Sequence, residues 1–263
     1  MQSIANESGK NVQNVGLGIN NGINYFRQQL ERSTRNNSFN NAVNMNNEFL
    51  QEQLNKNPND EKAKSMLEQN NKYINNMKNN QDNYQNKLKE KITGRSILIL
   101  APGSSLVKEQ DKIKAYIRTN NPVIFGVNKI SPEYDYDYLY LANEKRVSNL
   151  PTEKVKEYIT TSNLDFNEGI RVNYASYLCD DTSISDDPTL MLINLLVSIG
   201  IRSITIAGYD GFSANPDENY FDVRMSLGSN IESKMKKNDL IHKQVLKLKQ
   251  QIDLDFLTDT MYL

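Results

Sequence analysis

Five short polar segments hold the residues whose types and spacing could do chemistry. Ala101-Pro-Gly-Ser-Ser-Leu106 follows an apolar run and opens a helical pattern. Its Gly103, Ser104 and Ser105 supply the backbone amides and hydroxyls that can hold a phosphate at a helix N-terminus. The same residues also read as an ordinary strand-turn-helix joint with a serine cap, since the loop is neither a full GxGxxG nor a Walker pattern. Asn128 and Asn143 end two further apolar runs, where an amide can read a ribose hydroxyl or a base edge, or simply make a turn. Gly208-Tyr209-Asp210-Gly211 ends a late run, and Asp210 there suits either a sugar hydroxyl or turn chemistry. Tyr220, within Asn219-Tyr-Phe-Asp222, carries a phenol able to donate to a departing phosphate or to pack.

The elements that must position these residues alternate. Short apolar runs at 96–101, 123–127, 138–141 and 203–207 predict buried strands, with weaker ones at 158–161 and 170–173 and a last one at 254–257. One helix is predicted from the Ser104-Ser105 turn to about Arg118. A second, strongly apolar, is capped by Asp187 with Pro188 at its first position and stopped by Gly200. A charged third helix covers about 238–251. The expected fold over 94–263 is therefore α/β, a mostly parallel Rossmann-like sheet with helices on both faces. Ligands of such sheets bind beyond the carboxyl ends of the strands, where the segments of Gly103, Asn128, Asn143 and Asp210 fall.

Composition narrows the chemistry. Among 263 residues, 31 basic side chains balance 32 acidic ones, which excludes a nucleic-acid grip by bulk charge. One His and one Cys exclude zinc sites built from several of either, and no metal or cofactor is expected. Any Ser-His-Asp or Cys-His arrangement would have to use His242, which reads as a solvated helix residue. Cys179 reads as a small, partly buried side chain. A lone Cys, the lack of a charged-then-apolar leader and the absence of a bilayer-length apolar run make the cytoplasm the expected location.

The first part of the chain differs in kind. Residues 1–94 hold 24 Asn and 9 Gln, against 13 Asn in 95–263. Residues 1–22 are expected to be flexible, and 23–93 to form an Asn-rich extension of two or three amphipathic helices. Asn57-Pro-Asn-Asp60 breaks that pattern, with Asp60 as cap. The extension suits either packing on its neighbour or a hairpin for self-assembly or a protein partner. Its segment around Asn57 also resembles a tetratricopeptide-repeat junction, without a second copy.

From about Leu88 onward the ordered motifs resemble the C-terminal domain of putative aldolase-type proteins from bacterial surface-polysaccharide clusters. The shared features are a "GPGKSL"-like loop at 101–106, a "DYVFISNKKR"-like segment at Asp137–Arg146 and "LMLLxLLxxLGVKxIxLAGFDGF" at Leu190–Phe212. Those proteins place a barrel of roughly 250 residues before this domain. No barrel fits in the preceding stretch, so aldolase activity is not expected. More distantly, the first loop and the late Tyr-Phe-Asp segment are similar to small sialyltransferases that use a cytidine-monophosphate-activated sugar. That likeness implies nucleotide binding by Gly103, Ser104 and Ser105, with Asn128 and Asn143 near the nucleotide or donor sugar. It implies that Gly208 and Asp210 flank the donor pocket and that Tyr220 assists phosphate departure. Pro102 stands where those enzymes have Asn, and the stretch matching their catalytic His, Ser233–Lys236, has none. The expected function is nucleotide or activated-sugar binding with glycosyl transfer in surface-glycan synthesis; the alternative is a non-catalytic accessory module. Pyrophosphoryl transfer to a pterin would need clustered magnesium ligands that no motif supplies.

Overall fold

The computed structural model describes residues 39–147, 150, 153–164, 166, 168–181, 183–226 and 230–263. The expected flexible segment at 1–22 and the start of the helical extension lie outside them. Two compact units divide at Lys72/Tyr73, inside a long helix. In the first unit, α1 (Phe39–Lys56) is followed by α2 (Glu61–Ile92), whose first turns complete that unit. Asp60 caps α2 as expected, its carboxylate accepting from the Ala63 amide at 3.0 Å.

The second unit is built on seven strands: β1 (Ile97–Leu100), β2 (Val123–Val127), β3 (Tyr136–Leu141), β4 (Val155–Thr161), β5 (Ile170–Val172), β6 (Ser203–Ala207) and β7 (Asp253–Phe256). All pair in parallel in the order β5-β4-β3-β2-β1-β6-β7. Alternation along β1 sends Ile97 and Ile99 to one face and Leu98 and Leu100 to the other. On the first face lie the last turns of α2 (Leu88, Ile92), α5 (Pro188–Ser198) and α7 (Asn238–Lys249). On the second lie α3 (Ser105–Lys108) and α4 (Gln110–Asn120), through Leu106 and Ile113. The short α6 (Ile231–Met235) precedes α7. The expected α/β class with helices on both faces is what the chain adopts. Among the described residues no helix is long and apolar enough to cross a membrane.

The strand ends differ from the sequence reading in ways that have local causes. β3 begins at Tyr136 and β4 at Val155, earlier than the apolar runs suggested. Charged residues in these stretches pair with one another across the sheet, Lys156 with Asp137 at 2.7 Å, so the strands extend through polar sequence. The single helix expected after β1 is two. Tyr134 donates its hydroxyl to the Leu106 carbonyl at 2.7 Å, occupying an oxygen that a continuous helix would use. The helix breaks at Glu109, whose φ is −110° and ψ 27°.

Asp187 caps α5 as read from the sequence, accepting from the Thr189 and Leu190 amides at 3.0 Å. The order of strands reverses about β1: from it the chain adds β2 to β5 outward on one side, and later adds β6 and β7 on the other. The carboxyl ends of β1 and β6 therefore border the sheet's crevice. Gly208, at the end of β6, has φ +76°, and a Cβ there would lie 2.0 Å from the Ala101 carbonyl oxygen. Gly94 has the same left-handed backbone (φ +77°) with open space around it. Gly94→Ala should therefore cost only the left-handed penalty, about 1–2 kcal/mol. Gly208→Ala adds a backbone clash and should cost well above that, about 3 kcal/mol or more. Thermal unfolding of both variants checks the contrast, and equal losses would contradict it.

Candidate functional site

The carboxyl ends of β1 and β6 are welded together. The Gly103 amide donates to the Gly208 carbonyl at 2.8 Å, and a Cβ on Gly103 would meet that oxygen at 2.4 Å and the Asp210 carboxyl carbon at 2.6 Å. Asp210 accepts from the Ser105 amide at 2.8 Å, from the Ser105 hydroxyl at 2.5 Å and from the Ser104 hydroxyl at 3.4 Å. Thr258, just past β7, ties the same knot from the third strand. Its hydroxyl accepts from the Gly208 amide at 2.9 Å and, since the Ser105 proton goes to Asp210, gives its own proton to the Ser105 oxygen at 2.9 Å. The first loop thus turns amide and hydroxyl donors onto a carboxylate of its own chain. Burial raises the Asp210 pKa above the ordinary carboxylate value, and the serine donors work against that rise.

Beside this knot lies a cleft of about 270 Å³, close to the lower end of small-molecule sites. It gathers Gly103, Asn128, Asn143, Gly208, Asp210 and Tyr220 along one sheet edge. Ser104 and Ser105 do not line it. Asn128 holds a left-handed backbone (φ 58°), and its side-chain carbonyl accepts from the Ala142 amide at 3.1 Å, stapling the ends of β2 and β3. Asn143 accepts from the Lys145 amide at 3.0 Å and so caps the tight turn Glu144–Arg146. That turn delivers Arg146 to the cleft.

Tyr220 is positioned from both sides. The buried Asn219 clamps the preceding loop, accepting from the Ser213 amide at 2.6 Å and donating to its carbonyl at 3.3 Å. The Phe221 amide donates to the Pro102 carbonyl at 3.2 Å, fixing the segment to the end of β1. Lys234 of α6 donates to the Tyr220 hydroxyl at 3.2 Å and lies 4.8 Å above its ring. Because the phenol oxygen accepts that bond, its own proton is left to donate elsewhere.

Sequence reasoning missed the charged residues of the cleft. Arg146, Lys234 and Lys237 all line it, and none is in an ion pair among the described residues. Burial lowers the Lys234 pKa, and the positive charges of Arg146 and Lys237 lower it further. Lys234 and Lys237 belong to no sequence motif, and the stretch Ser233–Lys236 stands out only for lacking a His. Asp187 also lines the cleft. One of its oxygens takes all three bonds, from two α5 amides and from the Tyr209 hydroxyl at 3.0 Å. The other, Oδ2, has no donor among the described residues, and burial pushes the carboxyl pKa up.

His242 sits part-exposed on α7 and does not line the cleft. Cys179 is buried, its thiol pushed up to about 12, so it is a poor nucleophile. Among the described residues no cluster of three or more His, Cys, Asp or Glu side chains could hold a metal ion. Comparison with protein-family models, curated proteins and solved structures finds no significant match to the chain.

The knot makes a structural demand on Asp210 apart from any ligand. Asp210→Ala leaves the Ser105 amide and hydroxyl without their acceptor, at a cost of about 2–3 kcal/mol. For a unit of this size that corresponds to a fall of about 4–12 °C in the unfolding midpoint. A midpoint unchanged within about 2 °C would show that the knot contributes little to stability.

Proposed function

We propose that the cleft binds a nucleotide or nucleotide-activated sugar and that the chain transfers the sugar in surface-glycan synthesis. One observation carries this reading: Arg146, Lys234 and Lys237, none in an ion pair among the described residues, converge with Tyr220 beside strand-end amides at the sheet's crevice, although Asp186, Asp187 and Asp210 line the same cleft. Like charges held together against their mutual repulsion favour an anion between them. The phosphate then rests on Arg146, Lys234 and Lys237, since Asp210 occupies the donors of the first loop. The resemblance to sialyltransferases adds the reaction class.

In the transfer, an acceptor hydroxyl oxygen bonds to the anomeric carbon as the bond from that carbon to the phosphate oxygen breaks. The hydroxyl proton passes to Oδ2 of Asp187, whose raised pKa suits a base. The bonding pair leaves with the phosphate, where the Tyr220 hydroxyl and the three cations meet the developing charge. Tyr220→Phe should slow turnover about a hundredfold while leaving nucleotide affinity nearly unchanged. Steady-state kinetics over a panel of activated sugars, with hydrolysis of each donor measured separately, makes the test. Binding without turnover for any donor would leave a non-catalytic nucleotide-binding module.

Binding itself has two signatures. A nucleotide at about a hundredfold over its dissociation constant adds about 2.7 kcal/mol to the native state, a rise of roughly 5–10 °C. Cytidine nucleotides are the first choice, with uridine and guanosine nucleotides beside them. Affinity should also weaken on the alkaline side, below the ordinary lysine pKa of 10.5, as Lys234 loses its proton. The sign follows from the lowered pKa: the anion is held while Lys234 is charged, and pH rising through that value removes the charge. Lys234→Arg should keep its charge and abolish the decline. No stabilisation by any nucleotide or activated sugar sinks the reading.

A further inference from the structure

A second, wider groove of about 820 Å³ adjoins the cleft and shares Asn128, Arg146 and Met225 with it. Its composition is amphipathic. Apolar side chains, among them Ile130, Leu139 and Phe221, line it together with five basic ones: Lys129, Lys145, Arg146, Lys154 and Arg224. Asp222 is the one carboxylate in that lining among the described residues, and it holds two of these cations. Arg224 grips it bidentately through Nε and Nη2, each at 2.8 Å, and Lys129 lies 3.6 Å away. The Arg224 hydrogen bonds keep this carboxyl down at about 2, so the clamp stays charged across ordinary pH. Lys154 is bonded to Asp135 at 2.9 Å, while Lys145 is exposed and without an ion-pair partner among the described residues.

We infer that this groove is a binding site for an acidic saccharide, a sugar chain bearing carboxylate or phosphate groups. The apolar lining suits the C–H faces of sugar rings, and the surplus of cations suits their charge. A nucleic-acid strand fits less well, because Phe221 is the one aromatic side chain in the lining among the described residues and offers no run of stacking platforms. The shared Arg146 places the groove beside the phosphate-binding cleft, so the saccharide is the acceptor whose hydroxyl is glycosylated. That last step rests on the activated-sugar reading; the groove's own ligand does not.

The test uses the full chain and three tetrasaccharides of equal length, one carrying glucuronate, one carrying phosphate and one neutral, with affinities from calorimetry in low salt. Both anionic probes should bind at least tenfold more tightly than the neutral one, and their ranking tells carboxylate from phosphate recognition. Lys145→Gln with Lys154→Gln should weaken the anionic probes at least tenfold. A control pair of equal charge change on the outer helices, Lys112→Gln with Lys243→Gln, should change them less than about twofold. Equal binding of the neutral probe, equal losses in both double variants, or tighter binding of a short single-stranded RNA overturns the proposal. So does the absence of binding by either anionic probe. Activated sugars measured on the same wild-type protein separate the two readings. Saccharide binding without nucleotide binding keeps the groove and discards the cleft's ligand; the reverse keeps the cleft and discards the groove.

Discussion

The carboxylate of Asp210 is the constraint from which the site follows. It sits at the end of β6 yet satisfies donors at the start of α3, and Thr258 beyond β7 joins the same network. Gly103 and Gly208 are glycines because the two strand ends come this close, and a side-chain carbon at either would collide with backbone. A half-buried carboxylate is costly unless its hydrogen bonds are made, and here the serine amide and hydroxyls make them. The crevice between β1 and β6 is thereby pinned at its base.

This arrangement takes the first loop's donors out of the place where Rossmann-like sheets commonly hold an anion. With the donors of the first loop turned inward, positive charge for a ligand has to come from side chains. It arrives from two directions: Arg146 from the turn after β3, and Lys234 and Lys237 from the segment around α6. Both are held by caps. Asn143 closes the turn that carries Arg146, and Asn230 caps α6 by accepting from the Ser233 amide at 3.0 Å. The α7 residue Asn238 then bonds both backbone groups of Phe212, tying that helix to the loop after β6. Polar residues that read as turn chemistry in the sequence are therefore also what aims the cations.

The sheet was legible because apolar runs and helix caps are local signals. Asp60, Asp187, Pro188 and the run at Ser203–Ala207 each announce their element within a few residues. The convergence of Gly103, Asn128, Asn143 and Asp210 on one edge was legible too, since parallel strands place successive carboxyl ends together. What was not legible depends on contacts distant in sequence. The break at Glu109 depends on Tyr134, and the inward turn of Ser105 depends on Asp210 and Thr258. Lys234 and Lys237 carry no mark distinguishing them from other lysines of a charged segment. Only the fold brings them to Tyr220 and Arg146.

Arg146 has a position that neither pocket explains alone. A cation on the wall between two cavities interacts with charge in both, so its field couples their occupants. If anions fill both sides, they share its charge and repel one another, unless one of them leaves during the reaction. For a phosphate departing from a sugar while an acidic acceptor stays behind, that repulsion favours release of the phosphate once the new bond has formed. The same geometry opposes loading of both ligands before reaction, which the cations outside ion pairs among the described residues, Lys234 and Lys237 in the cleft and Lys145 in the groove, offset. Lys234 and Lys237 lie on the cleft side, and Lys129, Lys145, Lys154 and Arg224 on the groove side. Under the proposed transfer, the distribution of charge about Arg146 suits two anionic ligands, one in each cavity, better than a single ligand laid across both.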